Sequence, residues 1–246
     1  MKLGAQLYTV RDYTKNLDDF AETLKKVAEI GYTTVQVSGT CDFEADWLKE
    51  QLNKNGLQCV VTHNSADRIL NDTDKLIAEH KILECQNIGI GWYNIKEAGI
   101  DDFVEKFRPV ARRMKDQNMR FMFHNHDMEF EKLGEDIVLE QLANLFSAEE
   151  LEFILDTYWV QAGGGDPAWW IRHLTNRVTC VHFKDMSYGR KMAVVGEGNM
   201  NFDEIIKACY DAKVQYILVE QDDCNGEDPF DCLRRSYEYL KTKGLE

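Results

Sequence analysis

Short β-rich runs alternate with longer amphipathic runs along the whole chain, eight times in 246 residues. That order dictates a parallel α/β fold, because parallel neighbours need crossover connections and helices supply them. The predicted strands are 3–7, 33–37, 58–62, 87–91, 120–124, 151–156, 178–183 and 216–220. Helices are predicted over 16–30, 44–55, 72–83, 101–117, 137–146, 167–173, 202–211 and 229–241. In the first of these Leu17, Phe20, Leu24 and Val27 recur at three- and four-residue spacing. Gly31 and Gly56 stop two helices, and Pro167 and Pro229 open two others. Eight units of about 30 residues match a (β/α)8 TIM barrel, whereas a doubly wound sheet more often has five to seven strands. With only 3 Pro and 16 Gly no linker divides the chain, so one domain over residues 1–246 is expected.

In such a barrel chemistry is done at the C-terminal ends of the strands. The third predicted strand leads into His63, the fifth into His124 and His126, the sixth ends at Asp156, the seventh carries His182 and the eighth ends at Glu220. Side chains two apart point the same way. Leu218 and Tyr216 therefore share the side of Glu220, Cys180 and Val178 that of His182, Ile154 that of Asp156, and Met122 that of His124. These are fillers for a barrel interior beneath a polar top. Arg120, on the same count, falls at the barrel floor with no evident partner. His124, Asp156, His182 and Glu220 come from four consecutive strands and can converge on one divalent ion, and mixed N and O donors suit Mn, Zn, Co or Fe.

The 43 acidic against 29 basic residues leave a net charge of −14, which repels phosphate backbones and anionic lipid. Neither nucleic acid nor a membrane surface is an expected partner. No apolar run reaches the roughly 18 residues of a spanning helix, and the start lacks the apolar stretch of a signal peptide, so a cytoplasmic protein is expected. Seven scattered cysteines without a Cys-x-x-Cys pair argue against a disulfide framework or a cysteine zinc site. The run Gly163–Gly165 has neither the Lys-Ser/Thr ending of a phosphate loop nor a dinucleotide fingerprint, and reads as a βα loop. Self-association into a homo-oligomer stays open.

Five pieces carry a family resemblance: residues 123–130 (FHNHDMEF), 155–159 (LDTYW), 181–185 (VHFKD), 195–198 (VGEG) and 218–220 (LVE). In this order on successive strands the chain resembles the xylose isomerase-like TIM-barrel superfamily, specifically the sugar phosphate isomerase/epimerase group with inosose dehydratase and the ketose 3-epimerases. The resemblance implies that Asp156, His182 and Glu220 are metal ligands and that Glu220 also acts as an acid/base. His124 falls where the epimerases carry a glutamate, so a second base must come from elsewhere, with His126, Glu129 and Lys184 the candidates. Trp159 stands where those enzymes place a substrate-contacting histidine.

Lys184 shares the side of His182 and either holds a substrate oxygen or pairs with Asp185 at the rim. Glu197, between two glycines, reads as part of a tight loop. His63 and Gln36 are candidates for hydrogen bonds to sugar hydroxyls, and Tyr8, Trp92 and Trp159 for flat apolar faces. Arg190 and Lys191 form the only basic pair near these strand ends, and no phosphate cradle is present. The expectation is therefore a metal-dependent sugar isomerase or epimerase that removes a proton next to a carbonyl through an enediolate. A keto-sugar or inosose dehydratase/lyase comes second, and a non-catalytic sugar-binding barrel third. The substrate in each case is a small sugar or cyclitol. The DNA-repair branch of the fold is set aside for want of a basic face and enough strand-end histidines.

Overall fold

The computed structural model describes all 246 residues. Eight parallel strands close into a barrel: β1 (Lys2–Gln6), β2 (Thr34–Val37), β3 (Gln58–Asn64), β4 (Asn87–Ile90), β5 (Arg120–His124), β6 (Glu152–Asp156), β7 (Cys180–Phe183) and β8 (Tyr216–Val219). Each pairs with its neighbours in sequence, and β8 returns to β1 with Gly4 opposite Leu218. The eight predicted helices are present, seven as crossovers and the last after β8: α1 (Leu17–Ile30), α2 (Ala45–Lys54), α3 (Thr73–Leu83), α4 (Ile100–Asp116), α5 (Val138–Leu145), α6 (Pro167–His173), α7 (Phe202–Asp211) and α8 (Pro229–Thr242). Their apolar stripes meet the outward faces of the strands in one continuous core.

A second, smaller apolar cluster fills the barrel itself: Val60, Val61, Met122, Ile154, Cys180 and Leu218. Four of these six are the residues that strand alternation placed beneath the polar ends. Gly4 and Gly89 face the same interior at points where a side chain has no room, since a Cβ would lie 2.4 Å from Thr34 Oγ1 or 2.9 Å from Ile154 Cδ1 respectively. Val178 departs from the count: β7 begins only at Cys180, so alternation does not reach it and it packs in the outer core. Arg120 does lie at the floor, and its partner is Glu152 on the adjacent strand, 3.2 Å from Nε, with Asn87 Oδ1 also accepting from it.

Several short elements have no counterpart in the sequence reading. A 3-10 segment follows β1 (Leu7–Tyr13), and short helices cover Ala66–Asn71, Ile95–Ala98 and Thr157–Ala162. Two small hairpins pair Lys132–Leu133 with Asp136–Ile137 and Asp185–Ser187 with Lys191–Ala193. All sit in the loops at the C-terminal ends of strands, where they shape the mouth. No helix is long and apolar enough to cross a membrane, and all seven cysteines are free thiols.

Candidate active site

His124 and Asp156 end β5 and β6, His182 lies one residue from the end of β7, and Glu220 directly follows β8. All four are buried, and each offers a ligand atom within 4.8 Å of the others. The chain fixes them locally. Asp156 caps the helix Thr157–Ala162, with Oδ1 accepting from Trp159 N at 2.9 Å, which turns Oδ2 toward the barrel axis. Its own backbone N donates to Asn125 Oδ1.

The two imidazoles are oriented from behind. His124 Nδ1 lies 3.2 Å from the carbonyl of Gly91, to which it can only donate, so Nε2 turns a lone pair toward Asp156 Oδ2, 3.4 Å away. His182 Nε2 donates to Gln36 Oε1 at 2.6 Å, which leaves Nδ1 facing Glu220 Oε2 at 3.0 Å and Asp156 Oδ2 at 3.7 Å. That buried Nδ1 and Glu220 Oε2 have no well-aligned hydrogen bond. Two imidazole nitrogens and two carboxylate oxygens thus share a space in which acceptors face acceptors, an arrangement satisfied by a proton or by a cation. The donor set and its orientation fit a divalent transition metal. Burial alone would lower the His182 imidazole, but Glu220 and Asp156 outweigh it and raise it to about 9. Burial would likewise raise Asp156, yet Lys184 and the two histidines hold it well below the usual carboxylate range.

Lys184 is fully buried at the same place. Its Nζ lies 2.7 Å from Asp222 Oδ2, 3.3 Å from Asp156 Oδ2 and 3.4 Å from Glu220 Oε2, and 5.0 Å from the centre of the Trp159 ring. The alternative pairing with Asp185 is not formed. Asp185 points the other way and accepts from the backbone N of Met186, Gly196, Gly198 and Met200, which ties down the loop that contains Glu197. Gly198 is required there, because a Cβ would lie 2.4 Å from Asp185 Oδ1. Asp222 went unnoticed in the sequence, although it stands two residues beyond Glu220 and alternation carried one step past the strand would have found it. Burial and the neighbouring Glu220 raise its carboxyl to about 6.

His124, Lys184, Glu220 and Asp222 floor a cavity of about 380 Å³ at the barrel mouth, whose walls include Tyr8, His63, Trp92, His126 and Trp159. Gln36 stays beneath the surface on His182 and does not reach the cavity. Its role is to orient His182. Glu129, a candidate base, is also away from the cavity: it is buried, raised by that burial to about 7, and accepts from His126 N at 2.6 Å, so it holds the turn that aims His126. His126 does line the cavity, and burial followed by the nearby His124 lowers it to about 3. Arg190 lies outside the cavity, exposed and paired with Asp127 at 2.6 Å. His63 packs its ring 5.0 Å from that of His124, and burial holds it well below the usual histidine range.

The profile of xylose isomerase-like TIM barrels matches residues 24–243. The chain belongs to this family. Among solved structures, a sugar phosphate isomerase/epimerase from Parabacteroides distasonis is 22% identical, with 98% of this chain and 93% of that one covered and a TM-score of 0.79. An L-ribulose 3-epimerase is 13% identical, with 98% and 94% covered and a TM-score of 0.76. The probable 3-DHS dehydratase from Bacillus anthracis is 17% identical, with 98% and 99% covered and a TM-score of 0.73. At these identities the likeness establishes the barrel fold. No curated protein matches the chain in sequence.

Proposed function

We propose that this xylose isomerase-like barrel is a metal-dependent isomerase or epimerase of an unphosphorylated sugar or cyclitol, acting at a carbon next to a carbonyl. The observation that carries the reading is the convergence of His124, Asp156, His182 and Glu220 beneath an aromatic-walled cavity. These four residues would hold the ion, and a divalent ion bound there supplies Lewis acidity toward substrate oxygens. Glu220 stands at the cavity floor, where its carboxylate can take a proton from a neighbouring carbon. The Lys184 ammonium, fixed by three carboxylates, donates to a substrate oxygen on which negative charge develops. His126 hydrogen-bonds a hydroxyl from the side, and Trp159 and Trp92 flank the ring and exclude water. Lys184 is the one lysine or arginine lining the cavity, and its charge is shared among three carboxylates, which favours a substrate without a phosphate.

A dehydratase is the second reading. The β5 position carries an imidazole where two-faced proton transfer calls for a carboxylate, while loss of a β-hydroxyl needs only one base and an acid for the leaving oxygen. The deciding experiment incubates the metal-loaded protein with ketoses and inososes in deuterium oxide. Deuterium at the carbon next to the carbonyl supports the isomerase or epimerase, a 1,2-dicarbonyl product formed by loss of water supports the dehydratase, and Glu220→Gln abolishes either. Neither product from a broad panel sinks both readings and leaves a sugar-binding barrel.

A further inference from the structure

A second hollow of about 440 Å³ adjoins the first on the same face of the barrel, between the loop that follows β2 and the helices that follow β3. Each has the size of a small-molecule site. The two share Ser38, His63 and Asn64, which stand between them as a common wall. The partition is built into the fold. The His63 ring is wedged against Gly91, where a Cβ would lie 2.9 Å from Nδ1, and its buried Nε2 has no hydrogen-bond partner. Asn64 is held by Thr62 Oγ1 at 2.7 Å and by Arg68 at 3.2 Å.

The second hollow is polar and faintly acidic. Thr40, Asp42 and Glu44 stand on its loop side, and neither carboxylate is in an ion pair, whereas Arg68 is tied to Glu79 and Lys75 lies 4.0 Å from the same glutamate. A phosphate or carboxylate would meet unpaired negative charge there. A group rich in hydroxyls, which both donate and accept, meets matching partners. We propose that the substrate is an uncharged two-part carbohydrate, with the reacting ring over Glu220 and Lys184 and a second hydroxyl-bearing ring across the Ser38–His63–Asn64 partition in the adjoining hollow. This inference rests on the sugar-directed reading above and narrows its substrate to a reducing disaccharide, or a glycoside whose reacting ring bears a ketone.

The test is calorimetric titration of the metal-loaded full chain with maltose, cellobiose and palatinose beside glucose, fructose and glucose 6-phosphate. At least one disaccharide should bind about tenfold or more tightly than its component sugars, a gain of about 1.4 kcal/mol. Thr40→Trp, which fills the second hollow, should remove that gain and leave monosaccharide affinity unchanged. Should that variant misfold, Asp42→Ala serves instead, with a loss of a few-fold for the disaccharide alone. Equal affinity for both sizes, preference for glucose 6-phosphate, or equal weakening of both sizes in the variant would overturn the proposal. Selective disaccharide binding without any deuterium exchange would sink the catalytic reading and spare the two-part ligand; exchange with free ketoses and no disaccharide gain would do the reverse.

Discussion

The mouth of the barrel has two unlike halves. Strands β5 to β8 present His124, Asp156, His182, Lys184 and Glu220, an ionisable set that is almost wholly buried. Strands β1 to β3 present Gln6 and Gln36, both fully buried, and the partly exposed His63, all uncharged, with glycine at Gly89 and Gly91 on and after β4. The same backbone architecture thus holds a charged arc that can do chemistry and a neutral arc that orients it. Two bonds link them: His182 to Gln36 across the barrel, and His124 to the carbonyl of Gly91. Charge in the first arc is tolerable because each member is compensated, and the second supplies direction without further desolvation cost.

Breaking the charged arc should have the largest effect. Asp156→Ala and His182→Ala should each reduce metal content, measured by elemental analysis, from about one ion per chain to background, with turnover down by about 10³-fold or more. Retention of the metal in both variants would remove the ligand assignment. Next, Lys184→Met leaves the buried Asp156 and Glu220 and the partly exposed Asp222 without their ammonium and should cost about 3–5 kcal/mol of stability, read from urea unfolding. Added divalent ion should restore part of that loss if the same oxygens bind it.

Entering the neutral arc should cost less. Gln36→Leu removes the group that orients His182 and should weaken metal binding by about 10- to 100-fold in a competition titration, while the fold persists. Further from the mouth, His80 is buried against Thr62 and the carbonyl of Leu76, and burial lowers it from 6.5 to about 4. The unfolded chain therefore binds a proton that the folded one excludes, so stability should fall as pH drops from about 6.5 toward 4 and be insensitive to this group above that window. His80→Gln should flatten part of that slope in denaturation midpoints measured across it. The smallest effect is expected at the rim, where Arg190→Ala with Lys191→Ala should change KM by less than about twofold, because the pair Arg190–Asp127 is exposed and outside the cavity. A large rise in KM would restore a charged substrate.

The charged arc was legible in the sequence because period-two alternation ties each strand-end residue to the apolar residue beneath it, and Leu218, Cys180, Ile154 and Met122 indeed fill the barrel under the four candidate ligands. The rule weakens where a strand starts late, as at Val178, whereas Asp222 obeys it one step beyond the strand end at which the count stopped. Partnerships across the barrel were not legible. Gln36 and His182 are 146 residues apart, and only closure of the sheet brings them together. Glu129 looked catalytic because it follows two histidines in a short motif, but the turn that begins at His126 bends its carboxylate back onto its own backbone. Arg120 was visible without a partner, because its pairing with Glu152 depends on the register that sets Met122 opposite Glu152.

The ammonium of Lys184 also bears on the order in which such a protein matures. Because the polypeptide brings its own counter-charge to Asp156, Glu220 and Asp222, collapse of the barrel need not wait for an ion to arrive. A finished scaffold would then be stocked afterwards from the surrounding pool, so the element it carries records the supply at the moment of loading more than any preference written into the fold.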